Sequence, residues 1–341
     1  MAKITLGRTG LVTEQNAFGA LPIQRVSFEE AARLLCRALD GGMTFFDTAR
    51  AYSDSEEKIG RALGSRRSEY ILASKTAAKT PAGFWQDLEQ SLRCLRTDCI
   101  DIYQFHCVER CYRPGDGTGM YECMQEAKRQ GKIRHISATA HKVGIAEEIV
   151  DSGLYDTLQF PFSYLASERD IALTRRCAEK NVGFIAMKAL SGGLITNSAA
   201  AYAFIAQHKN VLPIWGIQRQ SELDEFLSYM TLPPQMTPEM QALIEHDRRE
   251  LSGDFCRGCG YCMPCPAGIQ INNAARMIQL IRRSPSQNWL DEKGQAMMGK
   301  IPGCLHCNRC MSRCPYGLPI PTLLKKNYAD YQRILAGEIK V

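Results

Sequence analysis

Eight short apolar segments alternate with segments of helical periodicity through about the first 230 residues of the chain. The first helical segment opens with Ser27 and Glu30, which are spaced as a capping box, and closes with two glycines. Strands that alternate with helices in this way pair into a parallel sheet. The apolar segments read QNAFGAL, MTFFD, YILASK, IDIYQF, KIRHISA, TLQFPF, VGFIAMKAL and VLPIWGI.

The number of these units selects one architecture among parallel sheets. Eight strand–helix units in about 230 residues match the size of a (β/α)8 TIM barrel. The alternative is an open, doubly wound sheet, but no Gly-x-Gly-x-x-Gly follows any of the apolar segments. We therefore predict an α/β fold whose first part is a TIM barrel.

The cysteines divide the chain into two parts. Seven of the 15 are dispersed over the predicted barrel, and the other eight lie between Cys256 and Cys314. Disulfide scaffolds are small chains with a signal peptide, but this chain begins with the polar stretch MAKITLGRTG. The cysteines therefore predict metal binding rather than disulfides, and we expect a cytoplasmic protein.

The clustered cysteines form two runs, CRGCGYCMPCP and CLHCNRCMSRCP. The second run has the spacing of bacterial ferredoxins, and the first is one residue shorter before its last cysteine. Three thiolates two residues apart can bind one face of a cubane, and the fourth, turned by a proline, reaches the neighbouring cluster. Zinc is the alternative, but tetrahedral zinc sites use two pairs of ligands. We predict two [4Fe–4S] clusters, one held by Cys256, Cys259, Cys262 and Cys314, the other by Cys304, Cys307, Cys310 and Cys265.

A domain boundary is expected in LPPQMTPEMQALIEHDRRELSGDF, which has a proline-rich break, an amphipathic helical segment and a glycine turn. We assign residues 1–232 to the barrel, 233–255 to a helical linker and 256–341 to a small, mostly helical iron–sulfur domain.

Charge and hydropathy exclude two classes of partner. No apolar run approaches the ~18 residues that cross a bilayer, so we expect no membrane association. The net charge of +6 is modest and is not gathered into one basic tract, so we expect no nucleic-acid binding. An acidic redox partner is compatible with this charge.

Four polar residues follow consecutive strands of the predicted barrel, where TIM barrels place their chemistry. These residues, called the tetrad below, are Asp47, Tyr52, Lys75 and His106. A nearby cation lowers the pKa of a phenol, so we expect Tyr52 to act as a general acid near neutral pH. We expect His106 to orient a carbonyl oxygen.

The segments FFDTARAYSDSEEKIGRAL, ASK and DIYQFH resemble the aldo/keto reductase signatures, and LGRTGL and GKIRHI are similar too. The resemblance covers about residues 1 to 230. It implies a (β/α)8 fold and a nicotinamide cofactor, NAD(H) or NADP(H), bound across the top of the barrel. It also implies that Tyr52 donates a proton to a small carbonyl substrate, while Lys75 and Asp47 tune Tyr52.

The same resemblance implies a set of cofactor contacts. Thr139 and Ala140 stand where the family has Ser-Asn at the nicotinamide carboxamide, and Gln159 matches the next contact. Met187 replaces the usual stacking aromatic. The segment with Leu190, Gly192 and Gly193 resembles the loop over the pyrophosphate.

The remaining implied contacts concern the adenosine phosphate. Gly216 and Arg219 suit a phosphate site, whereas Glu222 lies where NADP-dependent relatives place Arg, and Phe226 replaces Asn. A carboxylate repels a 2′-phosphate and can accept from a ribose hydroxyl. We therefore expect NAD or weak nicotinamide binding.

The tail resembles a helical ferredoxin module that occurs fused to a subgroup of aldo/keto reductases. A nicotinamide moves two electrons and a cluster moves one, so a converter such as a flavin is implied, although no flavin motif is present. We expect the clusters to exchange electrons with a separate electron-transfer protein or a bound redox cofactor. The alternatives are a cluster-fed reductase without nicotinamide, a redox-sensing or regulatory protein, and clusters that only stabilise the tail.

Overall fold

The computed structural model describes residues 3–251, 255–283 and 286–340, and it divides the chain into two compact units. The first unit comprises residues 1–189 and 199–237, and the second comprises residues 190–198 and 238–341. The helix Pro238–Glu250, which lies in the segment predicted as a linker, belongs to the second unit. Among the described residues, no helix is both long and apolar enough to cross a bilayer.

The first unit is a closed, eight-stranded parallel barrel, so the predicted fold is confirmed. Each of the eight apolar segments contains one barrel strand. Consecutive strands are neighbours, and the last strand pairs with the first. The strands are β3 (Ala17–Gly19), β4 (Phe45–Asp47), β5 (Ile71–Thr76), β6 (Ile100–Phe105), β7 (Ile133–Thr139), β8 (Thr157–Pro161), β9 (Gly183–Met187) and β10 (Val211–Gly216).

An antiparallel hairpin precedes the barrel, and the sequence analysis did not predict it. Its strands are β1 (Lys3–Thr5) and β2 (Val12–Glu14). Ile4 and Leu6 are buried in the same apolar cluster as Ala17 and Phe45, which are the first residues of their strands. The hairpin therefore packs on the amino-terminal end of the barrel, which leaves the carboxyl ends of the strands for the site.

Helices follow the barrel strands in the order that the sequence predicts. Ser27 Oγ accepts from Glu30 N at 3.1 Å and Ser27 N donates to Glu30 Oε2 at 3.0 Å, so the predicted capping box is present. The helices of the first unit are α1 (Phe28–Asp40), α2 (Ser55–Leu63), α3 (Pro81–Leu95), α4 (Met120–Arg129), α5 (Val143–Asp151), α6 (Glu168–Glu179), α7 (Ser198–Ala206) and α8 (Gln220–Thr231).

The second unit is helical and has its own apolar core. Ile269, Met277, Met298 and Leu324 are buried in one cluster, and Tyr331 Oη donates to the Trp289 carbonyl at 2.7 Å. The helices are α9 (Pro238–Glu250), α10 (Ile271–Ala274), α11 (Met277–Arg283), α12 (Gln287–Leu290), α13 (Glu292–Met298), α14 (Arg309–Ser312) and α15 (Ile320–Leu335).

Two arginines hold the segment 190–198 within this second unit. Arg276 Nη1 donates to the Gly192 carbonyl at 2.7 Å, and Arg283 Nη1 donates to the Leu194 carbonyl at 3.0 Å. The loop after β9 is therefore held by residues that follow it by 84 and 89 positions in the chain.

Candidate active site and metal centres

Asp47 and Lys75 form a buried ion pair at the carboxyl ends of β4 and β5. Lys75 Nζ donates to Asp47 Oδ2 at 2.6 Å and to the Thr48 carbonyl at 2.7 Å. Gln104 Nε2, on β6, donates to Asp47 Oδ1 at 3.1 Å. Three adjacent strands thus fix the Asp47 carboxylate, because the ends of parallel neighbours meet at one edge.

Tyr52 and His106 complete the tetrad at the same place. Lys75 Nζ lies 5.1 Å from the centroid of the Tyr52 ring. The ring of His106, which follows β6 directly, meets the Tyr52 ring edge-on, with centroids 5.7 Å apart and planes at 81°. The four residues that the sequence placed after consecutive strands therefore converge in the structure.

The protonation of Tyr52 differs from the sequence-based expectation. Burial raises the pKa of Tyr52 well above its usual value, and the charges of Asp47 and Cys107 raise it further. The expected lowering by a cation is wrong here, because Lys75 is itself neutralised by Asp47 at 2.6 Å. Tyr52 therefore keeps its proton through the neutral range, as a proton donor must.

Burial also shifts the pKa values of Lys75 and His106. The pKa of Lys75 is lowered by burial, while Asp47 acts to raise it. Burial, followed by the charge of Lys75, lowers the pKa of His106 to about 3. His106 is therefore neutral at physiological pH and can orient a carbonyl oxygen only as a neutral hydrogen-bond donor.

This depressed pKa predicts how stability depends on pH. The pKa of His106 is about 3 when folded and ~6.5 when unfolded, so between these values the unfolded state binds the extra proton. The free energy of unfolding should therefore fall as pH drops from ~6.5 towards ~3, by up to ~1.4 kcal/mol per pH unit from this group.

The variant His106→Asn should flatten that slope, measured by urea unfolding of the anaerobic protein at a series of pH values. The matched control is His246→Asn, since the His246 side chain is 64% exposed, and this variant should keep the wild-type slope. A slope unchanged by His106→Asn would refute the assignment of an imidazole that is neutral in the folded state.

Cys107 and His141 form a further pair that follows β6 and β7. Cys107 Sγ lies 3.4 Å from His141 Nδ1, and the backbone of Cys107 is left-handed with φ of +53°. Thr139 Oγ1 accepts from Cys107 N at 2.6 Å and so stabilises this turn. Thr139, which the sequence predicts as a nicotinamide contact, is therefore engaged by the backbone. The pairing was not predicted, although both residues stand directly after neighbouring strands.

Gln159 and Met187 lie on β8 and β9, as the sequence predicts. Gln159 is 1% exposed, and its Oε1 has no hydrogen-bond partner among the described residues. A buried carbonyl oxygen without a donor is suited to a ligand that supplies one, such as a carboxamide N–H. Met187 is half-buried and packs against the apolar centre of the barrel.

The residues after β10 have structural roles of their own. Glu222 Oε2 accepts from Gln218 N at 2.9 Å and from Arg219 N at 3.1 Å, so its carboxylate caps the start of α8. Phe226 is 2% exposed and stacks on Trp215 with centroids 4.5 Å apart, so it is a core residue.

The other predicted phosphate contacts fall in both units. Gly216 and Arg219 are exposed in the first unit, where a Cβ at Gly216 would lie 3.1 Å from Pro22 Cγ. Leu190, Gly192 and Gly193 belong to the second unit. Both glycines are left-handed, with φ of +66° and +91°, a conformation that only glycine adopts without strain.

In one group of cysteines of the second unit, the thiolate charges lie close enough to repel one another. Burial raises the pKa of Cys256, and Cys259 and Cys314 add to the increase. Burial raises the pKa of Cys262 to about 12, with further contributions from Cys256 and Cys259. Thiolates placed this close are stabilised when a metal neutralises them.

A second group lines one pocket of this unit. Its lining includes Cys265, Cys304, Cys307 and Cys310, and Cys262 of the first group also reaches it. Burial raises the pKa of Cys310, and the charges of Cys304 and Cys265 raise it further. Cys265 thus lies with the cysteines of the other run, which is the arrangement that ligand exchange between the two runs requires. Both groups fit iron–sulfur clusters, because cysteine thiolates are the ligands that hold such clusters.

Two family models match the chain. The aldo/keto reductase family model matches residues 3–200, and a 4Fe-4S dicluster domain matches residues 255–319. The first match covers more than half of the chain. The second contains all eight of the clustered cysteines.

Curated relatives match the barrel part. Aldo-keto reductase YhdN of Bacillus subtilis (strain 168) is 30% identical over 173 residues, which are 47% of this chain and 51% of the relative. The chain thus spans about half the length of this relative. Uncharacterized oxidoreductase YrpG of the same organism is 30% identical over 225 residues, which are 57% of this chain and 68% of the relative.

Solved structures show the same fold. The aldo-keto reductase AKR11C1 from Bacillus halodurans (holo form) has a TM-score of 0.63 at 20% identity, over 72% of this chain and 96% of that chain. An aldo-keto reductase from Klebsiella pneumoniae in complex with NADPH has a TM-score of 0.61 at 20% identity, over 72% and 95%. With the converging tetrad and the two family matches, the chain belongs to the aldo/keto reductase family and carries a 4Fe-4S dicluster domain at residues 255–319.

Proposed function

We propose that the protein is an oxidoreductase that reversibly reduces a small-molecule carbonyl in the barrel, while its clusters exchange single electrons with a separate carrier. The observation that carries this proposal is the convergence of the tetrad, with Tyr52 between Lys75 and His106. The tetrad can place a proton on the substrate oxygen, but it cannot supply electrons.

Tyr52 is the proton donor in this proposal. Its raised pKa keeps the phenol protonated, and the half-buried ring lies beside the buried ion pair of Asp47 and Lys75. The ion pair of Lys75 and Asp47 lies beside the ring, with Lys75 Nζ 5.1 Å from the ring centroid, and helps to hold the ring in place. Neutral His106 donates a hydrogen bond to the same oxygen and fixes its position.

A nicotinamide is the proposed hydride carrier, and it would supply two electrons to the carbonyl carbon. The buried Gln159 Oε1 is available to its carboxamide, and the NADPH bound to the Klebsiella pneumoniae relative supports the cofactor class. Met187, Gly216 and Arg219 are the other first-unit residues proposed to hold it. Glu222 favours NADH over NADPH, because its carboxylate repels a 2′-phosphate.

Two [4Fe–4S] clusters are proposed for the second unit. The first is held by Cys256, Cys259, Cys262 and Cys314, whose mutual charge effects support the grouping. The second is held by Cys265, Cys304, Cys307 and Cys310, which line one pocket. These clusters would accept and release one electron at a time, so a separate one-electron carrier is their proposed partner.

A second candidate is a cluster-fed reductase or a redox-sensing protein that does not use nicotinamide. Two observations favour it. The Thr139 hydroxyl is engaged by the Cys107 N–H, and the Glu222 carboxylate occupies backbone N–H groups at the start of α8. Both residues stand at predicted cofactor contacts.

The test is anaerobic turnover of the iron-loaded protein with a panel of aldehydes and ketones, following the oxidation of NADH and of NADPH separately. Nucleotide oxidation that depends on the carbonyl supports the first proposal. Carbonyl reduction that occurs with dithionite but with neither nucleotide would support the second candidate instead.

A further inference from the structure

One segment of the second unit contains cations but no acidic residue. Residues 293–329 contain six Lys and Arg and no Asp or Glu. The whole chain has 42 cations and 36 anions, so this segment accounts for the entire net charge and leaves 36 of each sign elsewhere. The six cations do not form a continuous basic tract, because they are spread along the segment. They are Lys293, Lys300, Arg309, Arg313, Lys325 and Lys326.

These six cations are available to a partner. All six are exposed, and none lies within 4.0 Å of a carboxylate of the described residues. Arg283 of the same unit is paired, by contrast: its Nη2 lies 2.8 Å from Asp247 Oδ1 and 2.6 Å from Glu250 Oε2, both in helix α9.

Apolar side chains are exposed among the cations. Leu305 is 66% exposed and Met311 is 41% exposed, and each directly follows a cysteine of the second run. Cys307 between them is the one exposed cysteine of the described residues. An exposed ligand brings the edge of a cluster close to the surface, where an electron can enter.

Two of these residues, Leu305 and Arg309, line the pocket of the second group of cysteines. Leu324, which directly precedes Lys325, lines it too. Lys300 precedes the turn Ile301–Gly303, which leads into Cys304. We name this surface the basic patch, defined by Lys300, Leu305, Arg309, Met311, Arg313 and Lys325.

We propose that the basic patch docks an acidic one-electron carrier protein, which exchanges electrons with the second cluster. This inference rests on the proposed function, since it assumes that the clusters are redox-active. One electron moves from the reduced carrier to the cluster, so the carrier is oxidised and the cluster reduced by one, and no bond is made or broken.

The composition of the patch fits a transient redox interface. Cations steer an acidic protein during diffusion and raise the rate of encounter, with an effect that falls as salt rises. A small apolar centre gives brief contact without tight binding, as in weak electron-transfer complexes. The stretch around the exposed Cys307 has cations, exposed apolar side chains and no acidic residue, so it offers both features.

The experiment measures the rate at which a reduced, acidic bacterial ferredoxin reduces the oxidised, iron-loaded protein in anaerobic stopped flow. The patch variant is Lys300→Glu/Lys325→Glu, which leaves every cysteine and its neighbours unchanged. The matched control is Lys180→Glu/Lys209→Glu, which makes the same charge change at exposed lysines of the first unit. Iron content and reduction by dithionite are measured for each protein.

At low salt, the second-order rate constant of the patch variant should fall at least ~10-fold, and rising salt should remove the difference. The control should stay within about twofold of wild type, because steering depends on charge near the docking site. Equal rates for the patch variant and wild type would overturn the docking site, as would an equal loss in the control.

Two further outcomes separate the docking site from what it rests on. If dithionite yields no reduced-cluster signal in the wild-type protein, the proposed redox function fails. If dithionite reduces all the proteins alike and only the ferredoxin rates fail to respond, the docking site alone is wrong. Patch-dependent binding of duplex DNA tighter than that of the ferredoxin, at the same salt, would overturn the assignment to a carrier protein.

Discussion

Replacing Tyr52 with phenylalanine should lower kcat for carbonyl reduction by ~10²- to ~10⁴-fold, the range that one general acid contributes. The variant removes only the hydroxyl. The ring remains, so its edge-on contact with His106 and its position near Lys75 are kept. Because the lost group acts on the substrate oxygen in the transition state, the affinity for nicotinamide should change by less than about twofold.

The control for this variant is Tyr121→Phe. The Tyr121 hydroxyl donates to the Leu154 carbonyl at 2.7 Å, so this change also removes one hydrogen bond from the same barrel. Its kcat should remain near that of wild type, with only a small loss of stability of ~1 kcal/mol. Turnover of Tyr52→Phe equal to that of Tyr121→Phe would remove the proton-donor role from Tyr52.

The second large effect is expected at the fourth cysteine of each run. Cys265→Ser should remove the second cluster and Cys314→Ser the first, and each should reduce bound iron from ~8 to ~4 per chain. The reason is that Cys265 lies with Cys304 and Cys310, whereas Cys314 lies with Cys256. In the proposed assignment, each run supplies three ligands to its own cluster and one to the other.

Reference variants identify which cluster is lost. Cys307→Ser and Cys259→Ser change central cysteines of the second and first runs. The reduced-state EPR spectrum of Cys265→Ser should match that of Cys307→Ser. A match with Cys259→Ser would show instead that each run holds its own cluster. Cys111→Ser changes a buried cysteine outside the runs and should keep the full iron content.

The barrel could be predicted from the sequence because its strands are buried on both faces. Such strands are nearly continuous apolar segments, and each of the eight segments became a strand. The hairpin β1–β2 escaped prediction because its three-residue strands, KIT and VTE, are half-exposed and carry too little periodicity. Its packing on the barrel, through Ile4 and Leu6, becomes visible only in the folded structure.

The tetrad could also be predicted, because strand order brings residues at consecutive strand ends together. The pKa of Tyr52 could not, since it depends on how deeply the ring is buried and on which group neutralises Lys75. In the same way, nothing in the local sequence indicates that Glu222 caps α8 through Gln218 N and Arg219 N.

The loop after β9 shows a further limit of local patterns. Its glycines suggest a phosphate-binding loop, but Arg276 is buried against Gly258 and bonds to the Gly192 carbonyl. The second of these contacts joins residues 84 positions apart. Only the folded second unit reveals that the segment 190–198 belongs to it.

The most direct test of the central claim, that nicotinamide serves the barrel while a separate carrier serves the clusters, is an anaerobic EPR titration of the iron-loaded protein. Dithionite should produce a signal from about two reduced clusters per chain. On fresh oxidised protein, NADH and NADPH alone should produce none, because a hydride donor needs a converter to deliver single electrons. A nucleotide-dependent signal equal to that from dithionite would contradict this account and place a two-electron to one-electron converter within the chain.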